Sequence, residues 1–446
     1  MTPAIARTLR LLADHGLILV LLLLCMIFSA LTFREQRPTG AAAAAPVAAT
    51  ILASASAPQV LIVASGTAED VAFALELQRE LESRGATVVQ VVQGEPRDAR
   101  RALARLAAAG GRLDVIACTP TTASWLVIAE RESEFPVLAK ASVVTPYSYW
   151  WPTFLQRANL LNIANQIAVI AIVAIGMTMV IITGGIDLSV GSLIALSAVV
   201  TTLLIEFAGA RAASAGAMVL CCLAGIAICG LIGAGSGALI TQFQVPPFLV
   251  TLAVMLVASG LALRLTDGES VYAIPETFVW LGLGADLLGL PNAVVLMLLL
   301  YGLAHVLMTR MTLGRYLYAV GGNAEAARLA GVPVRRVLLF AYACSGLLAG
   351  LGGVIMASQL KSGSPNYGAG YELAVIAAVV VGGTSLSGGE GTIFGTLTGA
   401  FLIAVIQNGM NLVNVNPFTQ KIVLGLVILG AMLADRLKHR LWRAAE

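Results

Sequence analysis

Residues 163–192 read IANQIAVIAIVAIGMTMVIITGGIDLSVGS. The stretch from 163 to 183 carries no Asp, Glu, Lys or Arg. Wound as a helix at about 1.5 Å per residue, it reaches across the ~30 Å of hydrocarbon in a bilayer. Working outward, runs of similar character lie near 188–208, 214–241, 246–264, 291–309, 337–357, 372–384, 391–411 and 419–435. A further run, Leu17 to Phe33, follows Arg7 and Arg10 and fits either a signal peptide or a first membrane helix, of which the uncleaved helix is the reading adopted. The count is then ten. The run at 372–384 is short for a crossing, so a broken or re-entrant helix fits it as well as a straight one.

Composition agrees. Of the 446 residues, 58% are hydrophobic and 11% charged, where a soluble domain carries about a quarter charged. Mean hydropathy is +0.89. A soluble globular chain and a disordered one are both excluded. The charge is also unevenly placed, since residues 34–158 hold twelve of the 27 Lys/Arg and twelve of the 24 Asp/Glu. One water-soluble island therefore interrupts a membrane protein. Cys25, Cys221, Cys222, Cys229 and Cys344 sit in apolar segments and read as small hydrophobes. Cys118 alone belongs to the island, which can have no internal disulfide.

Orientation follows from basic loops. Arg310, Arg315, Arg328, Arg335 and Arg336 face only Glu325 between 310 and 336, and the tail carries Arg436, Lys438, Arg440 and Arg443. Both segments should be cytoplasmic, as should the N-terminus with Arg7 and Arg10. Ten crossings satisfy all three placements and leave residues 34–158 in the periplasm. The expected division is a first helix in 1–36, an Ala/Pro-rich linker in 37–58, an α/β lobe in 59–145 and a membrane core in 146–446. Within the lobe, VLIVAS, ATVVQVV and LDVIAC alternate with helices over Glu69–Arg84, Arg97–Ala109 and about Thr122–Glu132, and FPVLAKASVV follows. That alternation predicts a parallel sheet in right-handed βαβ units. The fold class is thus an all-α polytopic membrane protein of about ten helices, with a small extracytoplasmic α/β domain inserted. The spacing of Gly94–Asp98, the helix after it and RLDVIACTP resembles the N-terminal lobe of periplasmic sugar-binding proteins. A single lobe lacks the second jaw of such a clamp, so a docking or spacer role is preferred.

Four stretches of the membrane part carry the functional reading. In ITGGIDLSVGS, Gly184 and Gly185 precede Asp187, whose charge would cost about 2.5–3.5 kcal/mol facing lipid at mid-helix. Asp187, with Ser189 beside it, either lines a translocation path or caps the helix beginning at Leu188. In the loop Gly314–Arg336, Asn323 can cap a short helix over EAARLA, with Gly331 and Pro333 ending it. Such an amphipathic helix on the cytoplasmic face suits docking.

Residues 372–395, ELAVIAAVVVGGTSLSGGEGTIFG, contain LSGGE, which matches the signature of ABC ATPases. That reading is rejected, because no G-x-x-x-x-G-K-[ST] is present to cradle phosphate. Gly382, Gly383, Gly388 and Gly389 instead let the chain turn inside the membrane, while Gly391, Gly395 and Gly399, like Gly233 with Gly237 and Gly346 with Gly350, offer smooth faces for helix packing. Lastly, Asn408, Asn411 and Asn414 share one helix face and either line a polar path or bond a neighbouring helix. No catalytic set and no metal-ligand cluster can be assembled from the spacing of His, Cys and acids.

Taken together, GGIDLSVGS, GGNAEAARLAGV, AAVVVGGTSLSGGEGTIFG and QNGMNLVNVNPFTQKIVLGLVIL resemble the permease subunits of ribose-, xylose- and galactose-type bacterial ABC importers, from about Phe154 to Leu437. The resemblance implies a non-enzymatic subunit of the inner membrane that imports a sugar by alternating access. It implies a homodimer with a second permease subunit, ABC ATP-binding subunits that hold ATP and Mg²⁺ where this chain holds no cofactor, and a periplasmic solute-binding protein. Membrane lipid surrounds it, and nucleic acid is not among the expected partners. Gly322, Asn323, Glu325, Ala326, Ala327, Arg328, Leu329 and Gly331 match the segment that couples to the ATPase. Two departures stand out: Ala374 replaces the acid that usually follows Glu-Leu, and the island has no counterpart. An ion-coupled secondary transporter and a membrane-anchored sugar sensor are the competing readings; the first would need more buried ionisable groups than Asp187 with Glu206 and Glu372 supply.

Overall fold

A computed structural model describes the backbone of residues 3–54, 57–110 and 112–443, and the side chains of 16–54, 57–110, 112–430 and 433. The basic side chains of Arg7, Arg10 and the tail lie outside that set. The chain forms two compact units, residues 33–153 and residues 1–32 with 154–446.

The smaller unit opens and closes with a two-stranded antiparallel ribbon, in which β1 (Phe33–Gln36) pairs with β6 (Tyr149–Pro152). Between them, β2 (Gln59–Ser65), β3 (Thr87–Gly94), β4 (Val115–Cys118) and β5 (Ser142–Val144) form a parallel sheet in the order β3-β2-β4-β5. Residues 60–64 of β2 are buried throughout, as a strand covered on both faces must be. Val60, Ile62 and Ala64 pack towards α3 (Ala68–Ser83) through Phe73, Leu77 and Leu81. Leu61 and Val63 pack on the other side against Ala99, Ala102 and Leu103 of α4 (Pro96–Ala108). Burial also pushes the Cys118 thiol up to about 12, which leaves it unreactive.

Two expectations for this unit are corrected. The linker of 37–58 is largely ordered structure: a 3-10 turn over Gly40–Ala43 leads into α2 (Ala44–Ser54). Ala44, Val47, Ala48 and Ile51 recur at helical spacing and are buried in the same core as Phe73. Pro46 falls in the first turn, where its missing N–H costs nothing. The helix expected over about Thr122–Glu132 is instead three single turns, Pro120–Ala123, Leu126–Ala129 and Arg131–Glu134, because Trp125 is extended between the first two.

In the larger unit, α1 (Pro3–Leu31) packs on α14 (Ile393–Leu412), with Phe28 over Gly409 and stacked on Phe154. Besides a single turn at Trp280–Leu283, the remaining helices are α5 (Arg157–Ile182), α6 (Val190–Phe207), α7 (Ala215–Phe243), α8 (Pro247–Thr266), α9 (Asn292–Arg310), α10 (Thr312–Gly322), α11 (Ala324–Leu329), α12 (Val334–Leu360), α13 (Tyr371–Val381) and α15 (Pro417–Arg443). Seven described helices, α5–α9, α12 and α14, are long and apolar enough to cross a membrane. Shorter apolar helices cover 16–31, 371–381 and 417–430, so the expected ten is reached only if these cross too. α5 is the centre of the bundle, 89% buried along its apolar window, whereas α7 and α8 are 22% buried and turn most of their surface outward.

Glycine permits the closest helix pair. On α7 and α12, a methyl on Gly233 would strike the Tyr342 carbonyl, and one on Gly346 would strike that of Cys229. Helices approaching this closely gain dispersion and weak backbone contacts that lipid cannot supply. For the smaller unit, Phe73→Ala is expected to cost about 3–5 kcal/mol. Limited proteolysis of the full chain in membranes should then cut within 33–153 before the spanning helices; unchanged resistance would contradict this packing.

Candidate functional site

The GGID stretch is a built polar junction. α5 stops at Ile182, Gly184 turns the chain at φ +81°, and α6 resumes at Val190. Asp187 lies between them, 1% exposed. Its Oδ1 accepts the Ser189 N–H at 2.9 Å and the Ser189 hydroxyl at 2.6 Å, while Oδ2 accepts the Ser345 hydroxyl at 2.7 Å. Asp187 thus binds one amide ahead of α6 rather than capping a helix at Leu188, and it ties the α5–α6 turn to α12. A buried carboxylate is tolerable here because each oxygen has a donor. Gly185 leaves room beside it for the Tyr342 hydroxyl, which a methyl at that position would strike.

The segment 322–331 is a separate feature, facing outward. Asn323 is extended, and its Oδ1 accepts the Ala326 N–H at 2.9 Å, starting α11. Glu325 and Arg328 form a 2.6 Å ion pair. Among these residues only Ala327 is buried, and Leu329 is 80% exposed. The helix ends at Leu329, with Ala330 as its C-cap, and Gly331 turns at φ +84° before α12. An apolar, exposed tip on a capped six-residue helix is what a docking element presents to another protein.

A third feature joins the first two. Gly382 and Gly383 end α13, and Ser385–Gly391 form a turn closed by the Ser385 N–H on Glu390 O (3.1 Å) and the Gly388 N–H on Ser385 O (3.1 Å). The Gly389 N–H donates to Ile182 O at 2.9 Å, and the Tyr318 hydroxyl to Gly391 O at 2.8 Å. Gly395 and Gly399 on α14 lie against the backbone of α13: a methyl at either would collide with the carbonyl of Gly382 or Ala378.

The amide series does not form one line of free donors. Asn408 and Asn159 exchange two hydrogen bonds of 2.9 and 3.1 Å between α14 and α5. Asn411 accepts from Gln420 of α15 at 2.7 Å, and Asn414 follows the end of α14 at φ +57°. Asn159, Tyr318, Gly321, Tyr342 and Ser345 are participants that spacing alone does not single out. Hydroxyls and amides on an apolar helix carry no signal until their neighbours are known.

The larger unit is thus a bundle with seven described helices long and apolar enough to cross a membrane, and a short helix presented from one loop. Residues 159–432 match the family model described as branched-chain amino acid transport system / permease component. The ribose import permease of Escherichia coli (strain K12) is 40% identical over 323 residues, covering 71% of this chain and 96% of that protein. The ribose import permease of Bacillus subtilis (strain 168) is 42% identical over 304 residues, 68% of this chain and 92% of its own. The L-arabinose transport system permease of E. coli (strain K12) is 38% identical over 292 residues, 65% and 86%. No solved structure matches. The chain belongs to this family of ABC transporter permeases, which implies ATP-binding and solute-binding partners.

Removing the carboxylate should show what the junction is worth. Asp187→Ala strands two serine hydroxyls and an amide, at about 1–3 kcal/mol for each buried group left unpaired. Thermal unfolding of the purified permease should fall by several degrees; an unchanged midpoint would contradict the assigned bonding.

Proposed function

We propose that this chain is the membrane subunit of an ATP-driven importer for a sugar or related small polar solute. The supporting relatives carry ribose or arabinose in their names. The observation that carries the mechanism is α11, a helix capped by Asn323 with its apolar tip, Leu329, in the open. ATP and Mg²⁺ are held by a partner ATPase, which grips α11 on the cytoplasmic side. Closure of that partner moves α11, and the helices expose the path to alternate sides of the membrane. This chain makes and breaks no covalent bond.

Two copies pair around the path in the bacterial inner membrane, with both termini cytoplasmic and residues 34–158 periplasmic. A periplasmic binding protein selects the solute and delivers it. Asp187 and Ser189 serve the path indirectly, by fixing the turn that ends α5. The smaller unit acts as a spacer or docking domain. Its polar groups at the carboxyl edge of β2 and β4 are already partnered, with Oδ2 of Asp70 accepting the Ser65 N–H at 3.0 Å and the Thr119 hydroxyl at 3.1 Å. A sugar would have to displace those bonds to bind there.

Glu325→Lys breaks the pair with Arg328 and reverses the charge in the first turn of α11. ATP-dependent uptake into vesicles should drop while the chain still inserts into the membrane. Uptake that continues undiminished, or that persists with neither ATP nor an ATPase present, would overturn the proposal.

A further inference from the structure

We propose that the turn Ser385–Gly391 transmits movement of α11 into the membrane helices, and that Gly321 is the positioning residue seating it. This rests on the reading of α11 as the segment an ATPase moves. Three glycine pairs distant in sequence supply the parts: Gly184–Gly185 after α5, Gly321–Gly322 at the end of α10, and Gly388–Gly389 in the turn. They meet backbone to backbone. A methyl on Gly321 would strike both Ile182 O and the Gly389 nitrogen. One on Gly388 would lie 2.9 Å from Gly321 O and 3.1 Å from both the Gly184 nitrogen and Ile182 O.

The turn is held from both sides. The Gly389 N–H takes the Ile182 carbonyl, left free where α5 ends, and Tyr318, one turn before Gly321, bonds Gly391 O. α11 begins at Ala324, two residues after Gly322, so the junction is the nearest fixed point to the helix that moves. Contacts between main chains contain no flexible side chain to absorb a displacement, so a shift of α10 is passed on rather than damped. It reaches α5, the most buried of the spanning helices, and α13 and α14, which flank the turn. On the far side of α11, α12 is tied to the same region by the bond from Ser345 to Asp187.

A pair of glycines provides the test. A methyl on Gly302, exposed on α9, meets nothing within 4 Å, whereas one on Gly321 meets the backbones of α5 and the turn. In proteoliposomes holding the full chain with its ATPase and binding protein, Gly321→Ala should still co-purify with the ATPase and support solute-stimulated hydrolysis. Uptake per ATP should fall about tenfold, the upper range for couplings of this kind. Gly302→Ala should match the wild type, and Tyr318→Phe, which removes one hydroxyl, should lower uptake per ATP severalfold. Tyr318→Phe alone decides the matter if Gly321→Ala does not insert. Wild-type uptake per ATP in Tyr318→Phe, or equal losses in Gly321→Ala and Gly302→Ala, would overturn the inference. An ATPase that fails to bind even the wild-type chain would overturn the importer reading beneath it.

Discussion

The hydrogen bond from the Gly389 N–H to the Ile182 carbonyl is where two breaks in regular structure satisfy each other. A helix that stops inside a bundle leaves carbonyls without partners, and hydrocarbon offers none. The α13–α14 turn supplies an amide, and only glycine lets its main chain come close enough to the end of α5 and to Gly321. The same need shapes the GGID turn beside it. There Asp187 uses Ser189 and Ser345 to satisfy its two oxygens, and so fastens the start of α6 to α12.

This arrangement sets an exposed handle beside a buried centre. α5 is packed on all sides, while α11 exposes every residue but Ala327. Force applied to an exposed six-residue helix does little unless its flanks are anchored, and both are. Upstream, α10 rests on the Ser385–Gly391 turn; downstream, α12 is packed along α7 through Gly233 and Gly346 and bonded to Asp187. The permease role and the packing of glycine are in this sense one subject.

Much of this could be read from the sequence, because hydrocarbon imposes long uncharged runs. The run expected at 188–208 is α6 at Val190–Phe207, and the short one at 372–384 is α13, which stops at Val381 before two glycines. The capped helix after Asn323 was equally legible, since its signals are local. What spacing could not convey was which distant elements meet. Gly184 stands out only as a neighbour of Asp187, Gly388 only as part of a turn and Gly321 not at all, and their convergence is a property of the packed bundle. The asparagine series announced a common face but not its partners, Asn159 and Gln420. In the island, alanine misled: a stretch of small residues looks like a linker, yet Ala44, Val47, Ala48 and Ile51 form a buried stripe.

The most direct measurement of the central claim is the sidedness of Leu329. With the native cysteines replaced and Leu329→Cys introduced, a membrane-impermeant maleimide should label the protein in inside-out vesicles and not in intact cells. Adding the partner ATPase should protect the site. Labelling from outside the cell, or labelling indifferent to the ATPase, would contradict the account.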